Sequence, residues 1–96
     1  MNRSRSTLKR KIAGQLAPVL PGFLLNPADA RFIGSPVDYV IFDGLTGVSD
    51  EMEQSIRIVF MDVKKGTSSL TWTQRVIKKA VEEKQIGWET LRIADE

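Results

Sequence analysis

Pro36-Val37-Asp38-Tyr39-Val40-Ile41-Phe42-Asp43-Gly44 is the stretch on which the reading of this chain turns. From Val37 to Phe42 every residue but Asp38 is β-branched or aromatic, which predicts a strand buried on both faces. Asp43-Gly44 and Gly47 end it. After a polar loop, Ser49 to Ser55, the run Ile56 to Val63 predicts a second buried strand, closed by Lys65-Gly66-Thr67; the two are expected to pair antiparallel. Asp38 lies in the first strand, and Asp62-Val63-Lys64 follows 24 residues later at the end of the second. These charges stand where the pattern calls for hydrophobes. Burying them without a partner or a cation is costly, so the fold must use them.

Side chains alternate along a strand, so Asp62 and Lys64 are expected on one face and Val63 on the other. If the strands pair so that Asp38 meets Asp62, two carboxylates converge, and their repulsion is severe without a cation between them. A magnesium ion there would polarise a phosphoryl oxygen and lower the pKa of a bound water, with Lys64 positioning that water or stabilising charge on the phosphate. This is the reading as a divalent-metal nuclease. The blander one is also open: an Asp near a strand end often forms a turn, and Asp-x-Lys is often a surface ion pair. Gln74 divides in the same way, between closing a helix cap with Thr71 and touching a phosphate or a metal-bound water.

Outward from the strands, Ser6 can cap a helix over residues 7–17, in which Leu8, Ile12 and Leu16 recur with Ala13 beside them until Pro18. Pro21, Gly22, Asn26 and Pro27 punctuate a connection whose Phe23, Leu24 and Leu25 are expected to pack onto the body. A short strand is expected near Arg31-Phe32-Ile33. Thr71 and Gln74 have capping-box spacing, and Val76, Ile77, Ala80 and Val81 form the apolar stripe of a helix reaching about Lys84. Ile86 to Ile93 alternates around Trp88 and Leu91 and is read as a last strand. Trp72 and Trp88 are read as packing residues, and Tyr39 as facing the core opposite Asp38. The expected order is helix, strand, strand, strand, helix, strand.

Ninety-six residues, 42% of them hydrophobic, make one domain over 1–96, with residues 1–5 as a basic tail. The absence of cysteine and histidine excludes a disulfide framework, Cys or His zinc sites and the Ser-His-Asp triad. Carboxylates, Lys, Tyr and hydroxyls remain for chemistry, and carboxylate oxygens favour Mg2+ or Mn2+ over zinc or copper. Net charge is only +2, but Arg3, Arg5, Lys9, Arg10 and Lys11 precede any acid, and Lys64, Lys65, Arg75, Lys78 and Lys79 form a second block. Such blocks suit a phosphate backbone, although solvated helix faces carry similar charge. Arg31 is a further candidate for a phosphate, or for holding Asp29 or Asp43. No apolar run approaches a membrane span and no signal-peptide stretch is present, which leads to the expectation of a cytoplasmic protein, or a phage protein made there.

Taken together, Asn26-Pro27-x-Asp29-x-Arg31-Phe32-Ile33-Gly34-Ser35-Pro36-Val37-Asp38-Tyr39, then Asp62-Val63-Lys64-Lys65-Gly66, Leu70 and Gln74-Arg75-x-Ile77-Lys78 form a distinctive set. The set resembles the predicted endonucleases related to archaeal Holliday junction resolvases, of the PD-(D/E)XK nuclease superfamily, over nearly the whole chain. The resemblance implies a small α/β domain with a central mixed sheet flanked by helices, and metal-dependent hydrolysis of branched DNA. It also implies Asp38 and Asp62 as metal ligands, the Val63 carbonyl as a further one, Lys64 as the residue assisting the attacking water, and a homodimer that cuts two symmetry-related strands of a four-way junction.

One position departs from the pattern. The family's first helix usually carries a glutamate where this chain has Gly14, within Arg10-Lys11-Ile12-Ala13-Gly14-Gln15-Leu16-Ala17-Pro18. Glycine inside a helix costs about 1 kcal/mol relative to alanine, so helix stability does not favour it. Three accounts fit: a lost metal ligand, an inactivated variant that binds DNA or serves as a structural module, or replacement by another acid such as Asp29. An oligomeric adaptor whose basic patches meet an acidic protein is a further class.

Overall fold

The computed structural model describes residues 15–48 and 55–94. The predicted first helix therefore falls mostly outside the described residues, as do Arg3, Arg5, Lys9, Arg10, Lys11 and Gly14 and most of the loop after Val48. Gln15 and Leu16 are helical and lead into a 3-10 turn at Ala17–Val19.

Three strands form one antiparallel sheet in the order β1 (Ala30–Phe32), β2 (Tyr39–Asp43), β3 (Arg57–Met61). Phe32 opposes Tyr39 across β1 and β2, and their rings meet edge to face with centroids 5.4 Å apart. Tyr39 opposes Met61 across β2 and β3. Alternation then divides the faces. Tyr39 and Ile41, with Val59 and Met61, look to the core, where Ala17, Phe23, Leu25, Ala30 and Val63 pack against them. Tyr39 thus lies on the core side as its position predicts, whereas Leu24 between two packed neighbours is 90% exposed.

The turn after β2 is built by Gly44, whose φ of 101° is open to glycine at little cost. Its amide and that of Thr46 both donate to the Asp29 carboxylate. Helix α1 (Trp72–Glu82) starts with the predicted capping box: the Gln74 amide donates to Thr71 Oγ1 at 3.2 Å and the Thr71 amide to Gln74 Oε1 at 3.0 Å. It stops in a Schellman motif. Lys84 N donates to the Val81 carbonyl and Gln85 N to the Ala80 carbonyl, with Lys84 left-handed at φ 59°.

Four expectations are corrected. The second strand is not buried on both faces: β3 is an edge of the described sheet, and Ile58 and Phe60 are exposed on the side away from the core. An apolar run shows that residues suit a sheet interior, not that a layer covers each face. Residues 86–93 form no strand, because alternation makes a strand only where a ladder partner is in reach, and the described ladder has three members. Without that last strand the described sheet is antiparallel rather than mixed, and α1 is the one complete α-helix among the described residues. Trp72 and Trp88 are 77% and 89% exposed rather than packed, the first on the outer face of α1 and the second on the unpaired segment.

Candidate active site

The start of β2, the end of β3 and the first turn of α1 meet at one place. The paired register ends at Tyr39–Met61, and just beyond it Asp38 and Asp62 come close enough for one carboxyl to act on the other. The regular ladder gives way here in the manner of a β-bulge: Asp38 N donates to the carbonyl of Met61, which already faces Tyr39, at 3.1 Å, and the Asp38 carbonyl accepts from Ile33 N and Gly34 N on the β1 side.

Each carboxylate has its own partners. Val63 N donates to Asp38 Oδ2 at 2.8 Å. Gln74 Nε2 donates to Asp62 Oδ1 at 3.0 Å and to the Pro36 carbonyl at 2.8 Å. Lys64 Nζ stands 2.9 Å from Asp62 Oδ2, placed there by the two-residue alternation along the strand. That contact is an ion pair by distance without hydrogen-bond geometry, so Oδ2 is buried and accepts no directed hydrogen bond. The Asp38 carboxyl is pushed above its ordinary range, first by burial and then by the neighbouring Asp62, against the lowering effect of the Val63 amide and the Lys64 charge.

A groove of about 240 Å³ runs between β3 and α1 from this point, walled by Phe60, Leu70, Ile77 and Val81, with Asp62, Gln74 and Lys78 along it. Arg75, Lys78 and Lys79 are exposed on α1 and Lys65 is exposed after β3. Lys79 pairs with Glu83 at 3.9 Å. Arg31 Nη1 donates to the Ala28 and Ala30 carbonyls, bracing the turn before β1.

Asp29 has a different use from the one entertained for it. It is buried, and its carboxylate accepts from Gly44 N at 3.2 Å, Thr46 N at 2.8 Å and Thr46 Oγ1. By the β1–β2 register it sits level with Phe42, four residues along β2 from Asp38, or about 13 Å at the rise of a strand. It does not supply a third carboxylate to the Asp38–Asp62 pair. Local sequence marks Asp29 only as a turn residue; its partners lie 15 and 17 residues away, and no local signal names them. Among the described residues no group of three or more acids, histidines or cysteines is placed to hold a metal ion.

A profile of the family described as endonuclease related to archaeal Holliday junction resolvase matches residues 1–93. The chain belongs to this family. No curated protein and no solved structure matches it. For a member of the resolvase-related endonucleases, the meeting of Asp38, Asp62, Lys64 and Gln74 is where hydrolytic chemistry would be sought. No described helix is long and apolar enough to cross a membrane.

Proposed function

We propose that the chain is a divalent-metal-dependent endonuclease that hydrolyses phosphodiester bonds in branched DNA, on a PD-(D/E)XK-type core. The observation that carries this reading is the closeness of Asp38 and Asp62, with a buried Asp62 oxygen that accepts no directed hydrogen bond beside Lys64. The donors suit Mg2+ or Mn2+: they are all oxygens, and two like charges held together call for a cation. Asp38, Asp62 and the Val63 carbonyl would hold it. When bound, such an ion supplies Lewis-acid polarisation and charge neutralisation for phosphoryl transfer.

The chain's own residues do the rest. Lys64 places a fixed positive charge beside the reacting phosphate, where it stabilises charge developing on the phosphoryl oxygens or orients the attacking water. Lys65, Arg75, Lys78 and Lys79, together with Arg3, Arg5, Lys9, Arg10, Lys11 and Arg31, supply the positive field that a DNA backbone requires. A two-fold homodimer would present two such sites to the paired strands of a four-way junction. Gly14, in place of the family's glutamate, leaves the ligand set one carboxylate short.

Cleavage of linear, flapped and four-way DNA with Mg2+, by the native chain and by Asp62→Asn and Gly14→Glu, tests this reading. Magnesium-dependent cutting by the native chain, lost in Asp62→Asn and raised in Gly14→Glu, is the expected result. Equal cutting by Asp62→Asn would sink the site assignment. DNA binding without cutting would make the chain a non-hydrolysing module on the nuclease fold, and a failure to bind any DNA, whatever the salt, would point to an adaptor.

A further inference from the structure

We infer that Gln74 is a positioning residue: its carboxamide sets the orientation of the Asp62 carboxylate and thereby the affinity of the site for a divalent ion. This rests on the metal-site reading above. A carboxamide has two N–H donors and one acceptor oxygen. Both donors on Nε2 are engaged, one by Asp62 Oδ1 at 3.0 Å and one by the Pro36 carbonyl at 2.8 Å. The oxygen Oε1 accepts from Thr71 N at 3.0 Å. The three partners also fix which way round the amide lies, since the reverse orientation would set its oxygen against two acceptors and its NH2 against an N–H.

Two consequences follow. The Gln74 carboxamide has no N–H left for a phosphate, so we assign it a role exerted through Asp62. The terminal torsion of an aspartate is broad, and a donor on Oδ1 settles it with Oδ2 turned to the Lys64 side. Pro36 lies two residues before Asp38, so the same amide ties the approaches of both acids to the first turn of α1. The capping box thus links the start of the helix to the aim of a carboxylate.

The test measures Mn2+ affinity by electron paramagnetic resonance, DNA affinity by fluorescence anisotropy in EDTA, and Tm, for the native chain, Gln74→Met, Gln74→Ala, Thr71→Ala and Asp62→Asn. Outer partners of metal ligands typically govern affinity by about 10–100-fold, so both Gln74 variants should raise the Mn2+ Kd about tenfold or more. Their DNA affinity should stay within about twofold of native. Thr71→Ala removes the hydroxyl half of the cap but leaves the carboxamide in place, and should lower Tm with Mn2+ affinity unchanged. An unchanged Mn2+ Kd in the Gln74 variants, or a loss of DNA affinity in its place, overturns the proposal. Mn2+ binding that is lost in Asp62→Asn but kept in both Gln74 variants removes the Gln74 role alone. A native chain that binds no Mn2+, or an Asp62→Asn chain that binds it equally well, brings down the metal-site reading and this role with it.

Discussion

Asp38 and Asp62 come together just beyond the Tyr39–Met61 pair, where the Asp38 amide turns to the Met61 carbonyl and Asp38 Oδ2 accepts from Val63 N. The two charges cannot drift apart without breaking the Asp38 N to Met61 carbonyl bond or the Val63 N to Asp38 Oδ2 bond. The sheet therefore holds a like-charge pair together, and Lys64 and Gln74 each relieve Asp62 from a different side.

That relationship sets the stability of the metal-free protein. Like charges held close together are destabilising, so Asp38→Asn in EDTA at pH 7 should gain about 0.5–1 kcal/mol. The asparagine oxygen still accepts from Val63 N, and its amide can donate to Asp62. Urea denaturation measures the difference. A variant less stable than native in EDTA would mean that the two carboxylates do not repel.

Lys64→Met should separate binding from chemistry. The Lys64 charge neutralises the Asp62 side of the site, so Mn2+ affinity should hold or rise once it is gone. Cleavage rate should fall about 100-fold or more, the usual scale for losing one electrostatic stabiliser of a transition state. Cleavage at the native rate would remove Lys64 from the mechanism.

Asp29 makes a pH prediction. The Thr46 hydroxyl holds its carboxyl below the ordinary value of 3.8, against the opposing effect of burial, with the Thr46 and Gly44 amides adding to the lowering. The unfolded chain therefore takes up this proton more readily than the folded one. The contribution is fully present above pH 3.8 and is lost as the pH falls through the lower folded value. The stability gap between native and Asp29→Asn, followed by Tm from pH 5 down to pH 2, should narrow across that window. A gap constant with pH would show that Asp29 is not held as a carboxylate.

The helix end offers a stabilising change. Lys84 is left-handed at the position after the cap, where glycine avoids the Cβ clash. Lys84→Gly should stabilise the protein by about 1 kcal/mol, read as a rise in Tm. A fall would mean that the Lys84 side chain contributes more than the strain removes.

Burial separates two isoleucines that look alike in sequence. Ile41 is 0% exposed and Ile58 is 47% exposed. Ile41→Ala should cost about 2–5 kcal/mol, and Ile58→Ala well under half of that. Equal costs in urea denaturation would place a covering layer over the outer face of β3.

The local features were legible because local chemistry makes them. Thr71 and Gln74 declare their capping box by spacing alone, since both bonds close within four residues. The apolar runs around Val40 and Val59 declare strands, and Asp62 and Lys64 declare a shared face, since side chains alternate in any strand. Residues 86–93 show where this fails: Ile86 and Trp88, and then Leu91 and Ile93, are each two apart, yet a strand exists only through a hydrogen-bonded neighbour.

Which residues carry charge, which periods repeat, and that the chain has neither histidine nor cysteine were settled along the chain. That Asp38 comes beside Asp62 with its amide on the Met61 carbonyl, that Gln74 reaches back 38 residues to Pro36, and that Asp29 locks a turn were settled by the tertiary structure. The reason is register: a strand's alternation says which face a side chain takes, and only the pairing of strands says what it meets there.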